Sequence, residues 1–217
     1  MTFYEELQTA TERERADLLA APIIRAAMAG EAGLSAYVAF LAEAYHHVKH
    51  TVPLLMACGA RLPERYEWLR QAMAGYINEE MGHQEWILDD IRACGGDAEA
   101  VRAGLPAIPT EVMVAYAYDT IQRGNPIGFL GMVFVLEGTS VQLAHLAAKG
   151  LRDALGLPEQ AFTYLTSHGT LDVSHIQYFE SLVNRLDSQA DRDAIARCAR
   201  VFYRLYGDIF CQLGGEA

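Results

Sequence analysis

Proline punctuates this chain at places that helices accommodate. Pro22, Pro63, Pro109, Pro126 and Pro158 each stand at the head of a run in which apolar residues recur three or four positions apart. Proline is tolerated there because the first turn of a helix leaves its N–H groups without intrahelical partners anyway. Gly30, Gly59 and Gly156 close runs of the same kind. No run alternates apolar and polar residues with the two-residue period of a strand, and the β-branched residues are scattered. The expectation is an all-α chain, a bundle of seven or eight helices with short loops.

The boundaries follow from the caps. Thr2 with Glu5 reads as a capping box opening a helix that runs to Leu19. A short helix follows from Pro22 to Gly30. Ser35 caps a long one, kinked at Pro53 and ended by Gly59, and Pro63 opens another that reaches about Cys94. Further helices start at Pro109, Pro126 and Pro158, the last bending at Gly169. Asp187 or Ser188 caps the final one, which ends near Leu213. With no internal repeat, low-complexity tract or linker, residues 1–217 read as one domain.

Composition narrows the function. At 52% hydrophobic and 21% charged residues the chain can build a substantial core. A net charge of −11 argues against nucleic-acid binding through a basic surface. Cys58, Cys94, Cys198 and Cys211 are far apart, so neither a zinc knuckle nor a disulfide framework is expected. Free thiols fit a reducing, cytoplasmic setting. The acidic, amphipathic N-terminus does not read as a signal peptide, and no uninterrupted apolar stretch suggests a membrane span.

The chemistry concentrates in four places. HGTLDVSH puts His168, Asp172 and His175 at i, i+4 and i+7, one stripe of a helix. NEEMGHQEW pairs Glu80 with His83 at i and i+3, with Glu79 an alternative. Glu137 follows about ten residues without another charge, and a carboxylate in an apolar helix is costly unless it is paired or binds a cation. EAYHHVKHT offers His46, His47 and His50; His46 and His50 stand at i and i+4, His47 and His50 at i and i+3, while adjacent His46 and His47 diverge. His145 reads as structural. Each cluster alone is a common sight on a polar or packed helix face. Six of the seven histidines, however, fall in three clusters on three expected long helices, and a fourth helix brings the isolated Glu137. Four helices that converge Glu, Asp and His suit a two-metal carboxylate site.

With these residues the whole chain resembles the heme-oxygenase-like helical superfamily, which includes thiaminase II (TenA) and PQQ synthesis protein C. Within it, the chain is most similar to the CADD-like di-iron oxidases and oxygenases. Glu80 and His83, then Glu137, then His168, Asp172 and His175 follow that branch's order of ligands at similar intervals. Two departures stand out. Family members often carry a Glu on the first core helix, where this chain has His46, His47 or His50. Seven residues before His83, where CADD-like chains have a Glu, stands Tyr76.

The resemblance implies two Fe(II) ions per chain, with manganese the alternative ion, and O₂-dependent oxidation of a small organic substrate. It implies a bridging Glu137, with Glu80 and His83 on one ion and Asp172 with His168 or His175 on the other. Tyr76, Tyr164 and Tyr116 become candidates for hydrogen bonding or radical transfer. Phe129, Met132, Val133 and Phe134 become candidates to shape the substrate pocket, and a homodimer touching through Phe202, Tyr203 and Tyr206 is expected. The alternatives are a metal-free enzyme of the superfamily or a non-catalytic helical dimer that binds a small ligand. Thiaminase II activity needs a cysteine on the helix of Glu137, and none lies between Cys94 and Cys198. Heme oxygenase needs a histidine on its first helix, and none precedes His46. The PQQ enzyme holds its anionic substrate with many Arg and Lys, of which this chain has 17 in all.

Overall fold

Thr2 caps the first helix in both directions: its side chain accepts from Glu5 N–H, and the Glu5 carboxylate accepts from Thr2 N–H at 2.8 Å. That helix opens a computed structural model describing residues 1–215, the side chains of 170–173 and 215 excepted. Among the described residues twelve α-helices follow one another: α1 Phe3–Ala10, α2 Glu12–Leu19, α3 Pro22–Ala29, α4 Leu34–Val48, α5 Thr51–Arg61 and α6 Glu67–Glu80. Then come α7 His83–Ala93, α8 Ala98–Ala103, α9 Ile108–Arg123, α10 Leu130–Leu155, α11 Thr163–Val183 and α12 Gln189–Gly215. Among the described residues there is no strand.

The count exceeds the expected seven or eight because three long runs are broken. Residues 2–19 divide at Thr11. The run through Pro53 breaks earlier, at Lys49 and His50, which leaves Pro53 in the first turn of α5 where its missing N–H costs nothing. The run from Pro63 to Cys94 breaks at Met81 and Gly82, with Gly82 at φ +95°. The six-residue α8, capped by Asp97, escaped the periodicity because it is too short to show one.

α10 is the central helix, packed on α11, α12 and α3. It approaches α12 so closely that a Cβ at Gly131 would lie 2.6 Å from the backbone nitrogen of Ala199. The segment 126–155 is also long and apolar enough to cross a membrane, but 56% of its most apolar window is buried within the bundle. Phe202, Tyr203 and Tyr206, expected at a dimer contact, are buried in the chain's own core instead, so a dimer would have to use another face.

The core has two parts. One gathers Leu54, Met73, Leu130, Val135, Phe179 and Phe202; the other gathers Leu41, Tyr45, Ile87, Leu88, Ala144 and Leu165. Four of the stretches that pass from one to the other carry polar residues at or beside the crossing. Glu137 lies between Val135 and Ala144; His168 and His175 lie between Leu165 and Phe179; Glu80 and His83 lie between Tyr76 and Ile87; His47 stands beside Val48, before Leu54. A polar layer is thus held between two dry ones.

Candidate metal centre

Glu80 is the last residue of α6 and His83 the first of α7. The sequence suggested one continuous helix through both. The chain instead turns at Met81 and Gly82, and Gly82 takes a left-handed backbone that a side chain would disfavour. The pair still meets: His83 Nδ1 stands 3.1 Å from Glu80 Oε2, and both are buried. His168 of α11 completes a group in which one donor atom each from Glu80, His83 and His168 lies within 4.8 Å of the others. The His83 and His168 rings meet edge-on with centroids 4.9 Å apart, and Trp86 stacks on His83 at 4.0 Å.

Glu137 and His175 stand beside this group. His175 Nδ1 is 3.7 Å from Glu137 Oε1 and 3.9 Å from Glu80 Oε1. Its other nitrogen, Nε2, is 2.8 Å from Glu79 Oε2. Glu79, read from sequence as a substitute for Glu80, therefore faces the outer edge of a histidine that Glu80 and Glu137 face from within. Asp172 lies outside the described side chains.

The three α4–α5 histidines separate. His46 Nδ1 accepts from Lys49 Nζ at 3.1 Å, and His50 Nδ1 lies 3.1 Å from the Tyr118 hydroxyl. Burial and then the Lys49 charge hold both below the usual histidine range. His47, passed over in favour of the i, i+4 pair, is the one that lines the cavity with Glu80, Glu137 and His168. The helix break at Lys49 and His50 removes the shared face on which that pairing relied. Burial first, then the neighbouring His168, pushes the His47 pKa down to about 3, so its imidazole is neutral with a lone pair to give.

Tyr76, at the position where a Glu was missed, is buried with its ring 5.6 Å from that of His175. Burial and then Glu137 raise its pKa, so the phenol keeps its proton. Tyr164 meets His168 edge-on at 4.8 Å. Tyr116 lies elsewhere, against Phe202 and Cys198. Phe129, Met132 and Val133 line the cavity, whereas Phe134 packs in the core against Phe179.

The family model described as "iron-containing redox enzyme" matches residues 38–207. This chain belongs to that family. No curated protein matches it. Among solved structures, a domain of unknown function with a heme oxygenase-like fold from Shewanella denitrificans is 24% identical, with a TM-score of 0.87 over 100% of this chain and 93% of that one. A TenA homologue from P. horikoshii is 10% identical, with a TM-score of 0.82 over the whole of both chains. A CADD-like protein of unknown function from Nostoc punctiforme is 18% identical, with a TM-score of 0.73 over 98% and 99%. These likenesses establish the heme oxygenase-like fold that the sequence suggested.

The donor set fits the family's metal. Imidazole nitrogens with carboxylate oxygens suit Fe(II) and its first-row neighbours. Glu80 and Glu137 are buried carboxylates, and among the described residues no Lys or Arg lines their cavity. His47 Nδ1 and the Tyr76 hydroxyl are buried with no hydrogen-bond partner, a cost that a bound group would relieve.

Proposed function

We propose that this chain is an O₂-dependent oxidase or oxygenase that uses non-heme iron, two ions per chain, on a small organic substrate. The observation that carries the reading is the meeting of Glu80, His83 and His168 donor atoms, joined by Glu137 and His175, beside a cavity that among the described residues no Lys or Arg lines. Burying two carboxylates together is unfavourable unless a cation accompanies them. Iron bound there would supply the activation of O₂. Glu80, His83 and His168 would hold one ion; Glu137 and His175, with His47 facing them, would serve the second. Asp172 is proposed with them on the sequence pattern alone.

The chain's own groups do the rest. The apolar side chains of Phe129, Met132, Val133 and Leu136 exclude water from the donors. Tyr76 keeps its proton at the phenol oxygen beside His175, so it would act as a hydrogen-bond donor rather than as an acid. Tyr164 fixes the plane of His168. The test is iron per chain and thermal midpoint for the wild type and Glu137→Ala, with and without chelator. The expected result is stoichiometric iron in the wild type, its loss in the variant, and a chelated variant at least as stable as the chelated wild type. A wild type that takes up no first-row metal overturns the proposal.

A further inference from the structure

Trp86 has a place at the candidate centre that binding iron does not explain. It is one of two tryptophans in the chain. It follows His83 by one turn of α7, and its indole lies over the His83 imidazole with centroids 4.0 Å apart and planes 24° from parallel. The same indole meets the His168 ring edge-on, with centroids 6.4 Å apart. It therefore adjoins two of the three residues whose donor atoms converge. Trp68 is placed otherwise, under the Arg185 guanidinium and edge-on to Tyr66.

The geometry of the stack is informative. Aromatic pairs ordinarily prefer offset or edge-on arrangements with centroids about 4.5–7 Å apart. The Trp86–His83 pair is closer and flatter than that. Such a stack suits an electron-rich indole over an electron-poor ring, and an imidazole becomes electron-poor when it gives its lone pair to a cation.

Trp86 is also the end of this contact that reaches solvent. His83 is buried, whereas Trp86 is partly exposed. The indole gives up one electron more readily than any other neutral side chain, and it can do so before losing its N–H proton. Two rings in van der Waals contact pass an electron without an intervening carrier. A path for single electrons thus leads from the surface through Trp86 to the donor groups.

We propose that Trp86 is a one-electron relay between iron held by His83 and His168 and a reductant in solution. The proposal rests on the iron-enzyme reading. When O₂ is reduced at the centre with no substrate present, the Trp86 indole gives one electron to the centre, which is reduced by one. No bond forms or breaks, and the indole nitrogen keeps its proton. The indole radical cation then takes one electron from a soluble one-electron donor of the ascorbate class, which is oxidised by one, and Trp86 is restored. The oxidising equivalent leaves without attacking the histidine donors.

The full-length protein loaded with Fe(II) is mixed with O₂ without substrate and freeze-quenched, and its electron paramagnetic resonance spectrum is recorded. Iron per chain and the oxidised peptides are measured on the same samples. A tryptophan radical is expected in the wild type and in Trp68→Phe, where Trp86 is the remaining tryptophan. In Trp86→Phe, which keeps a ring over His83, that signal is expected to be lost while iron per chain stays at the wild-type value, and oxidation is expected to move to the histidine-bearing peptides. Ascorbate is expected to remove the wild-type signal and leave the Trp86 peptide unmodified. If Trp86→Phe does not fold, Trp86→Tyr takes its place and is expected to lack the tryptophan signal too. An iron-loaded wild type that reduces O₂ without a tryptophan radical, or a Trp86→Phe that keeps the signal, overturns the relay and leaves the oxygenase reading standing. A folded Trp86→Phe that loses its iron makes the indole a prop for His83 and also overturns the relay. A wild type that takes up no iron sinks both.

Discussion

Glu80 and His83 face each other across a break between two helices, His83 Nδ1 3.1 Å from Glu80 Oε2. Three residues of continuous helix would also have placed them together. Here the turn at Met81 and Gly82 lets α6 and α7 diverge while the two side chains stay in contact. The consequence is that Gly82, which offers no donor atom, governs the pair.

Gly82→Ala tests this. Nothing lies within 4 Å of a Cβ built at Gly82, so the cost is in the backbone alone, about 1–2 kcal/mol at such a φ. The thermal midpoint should fall by roughly 2–8 °C for a chain of this size. Iron per chain should fall with it, because the strain is relieved by moving Glu80 away from His83. A variant with wild-type midpoint and iron content would show that the break does not position the pair.

His47→Ala should weaken iron binding on the order of tenfold, and His46→Ala and His50→Ala should leave it unchanged. Only His47 lines the cavity with Glu80, Glu137 and His168. The other two are engaged by Lys49 and Tyr118. Competition with a chelator of known affinity reads the difference; equal losses in all three variants would refute the assignment.

Glu79→Ala should cost about 10–100-fold in iron affinity although Glu79 is largely exposed. Its carboxylate meets His175 Nε2 at 2.8 Å and so turns Nδ1 toward Glu80 and Glu137. Glu79→Gln, which keeps an acceptor for Nε2–H, should recover most of the affinity. If alanine and glutamine variants both bind iron as the wild type does, the contact does not orient the ring.

Asp90 makes a prediction about pH. It is buried on α7 and accepts the N–H groups of Thr163 at 3.0 Å and Tyr164 at 2.8 Å, capping α11 from another helix. Burial outweighs those bonds and pushes its carboxyl up to about 6. A raised folded-state pKa means the native state holds the proton more tightly than the unfolded chain. The associated stability is complete below about pH 4 and is lost as pH rises through about 6. In chelator, the wild-type midpoint minus that of Asp90→Asn should therefore shrink between pH 4 and 7. A difference that is constant or grows over that range would contradict the sign.

Much of the candidate site was legible. Glu137 stood out because an isolated charge in an apolar helix needs a reason, and His168 with His175 because seven residues return a helix to the same face. His47 was not legible as the inward histidine. Its choice depends on where α4 stops, and Lys49 and His50 carry no proline or glycine to mark the stop. The same limit hid the break before His83, where Gly82 alone was too weak a signal in a run of helix formers.

The sequence by itself determined the all-helical class and brought Glu80, His83, Glu137, His168 and His175 forward as the polar residues of the candidate site, because helical periodicity and caps are local properties of the chain. Only the tertiary structure decided which of three adjacent histidines turns inward and that Glu79 sits behind His175. Those depend on how breaks of a few residues aim whole helices. That aim is not encoded in the spacing of residues along any single segment.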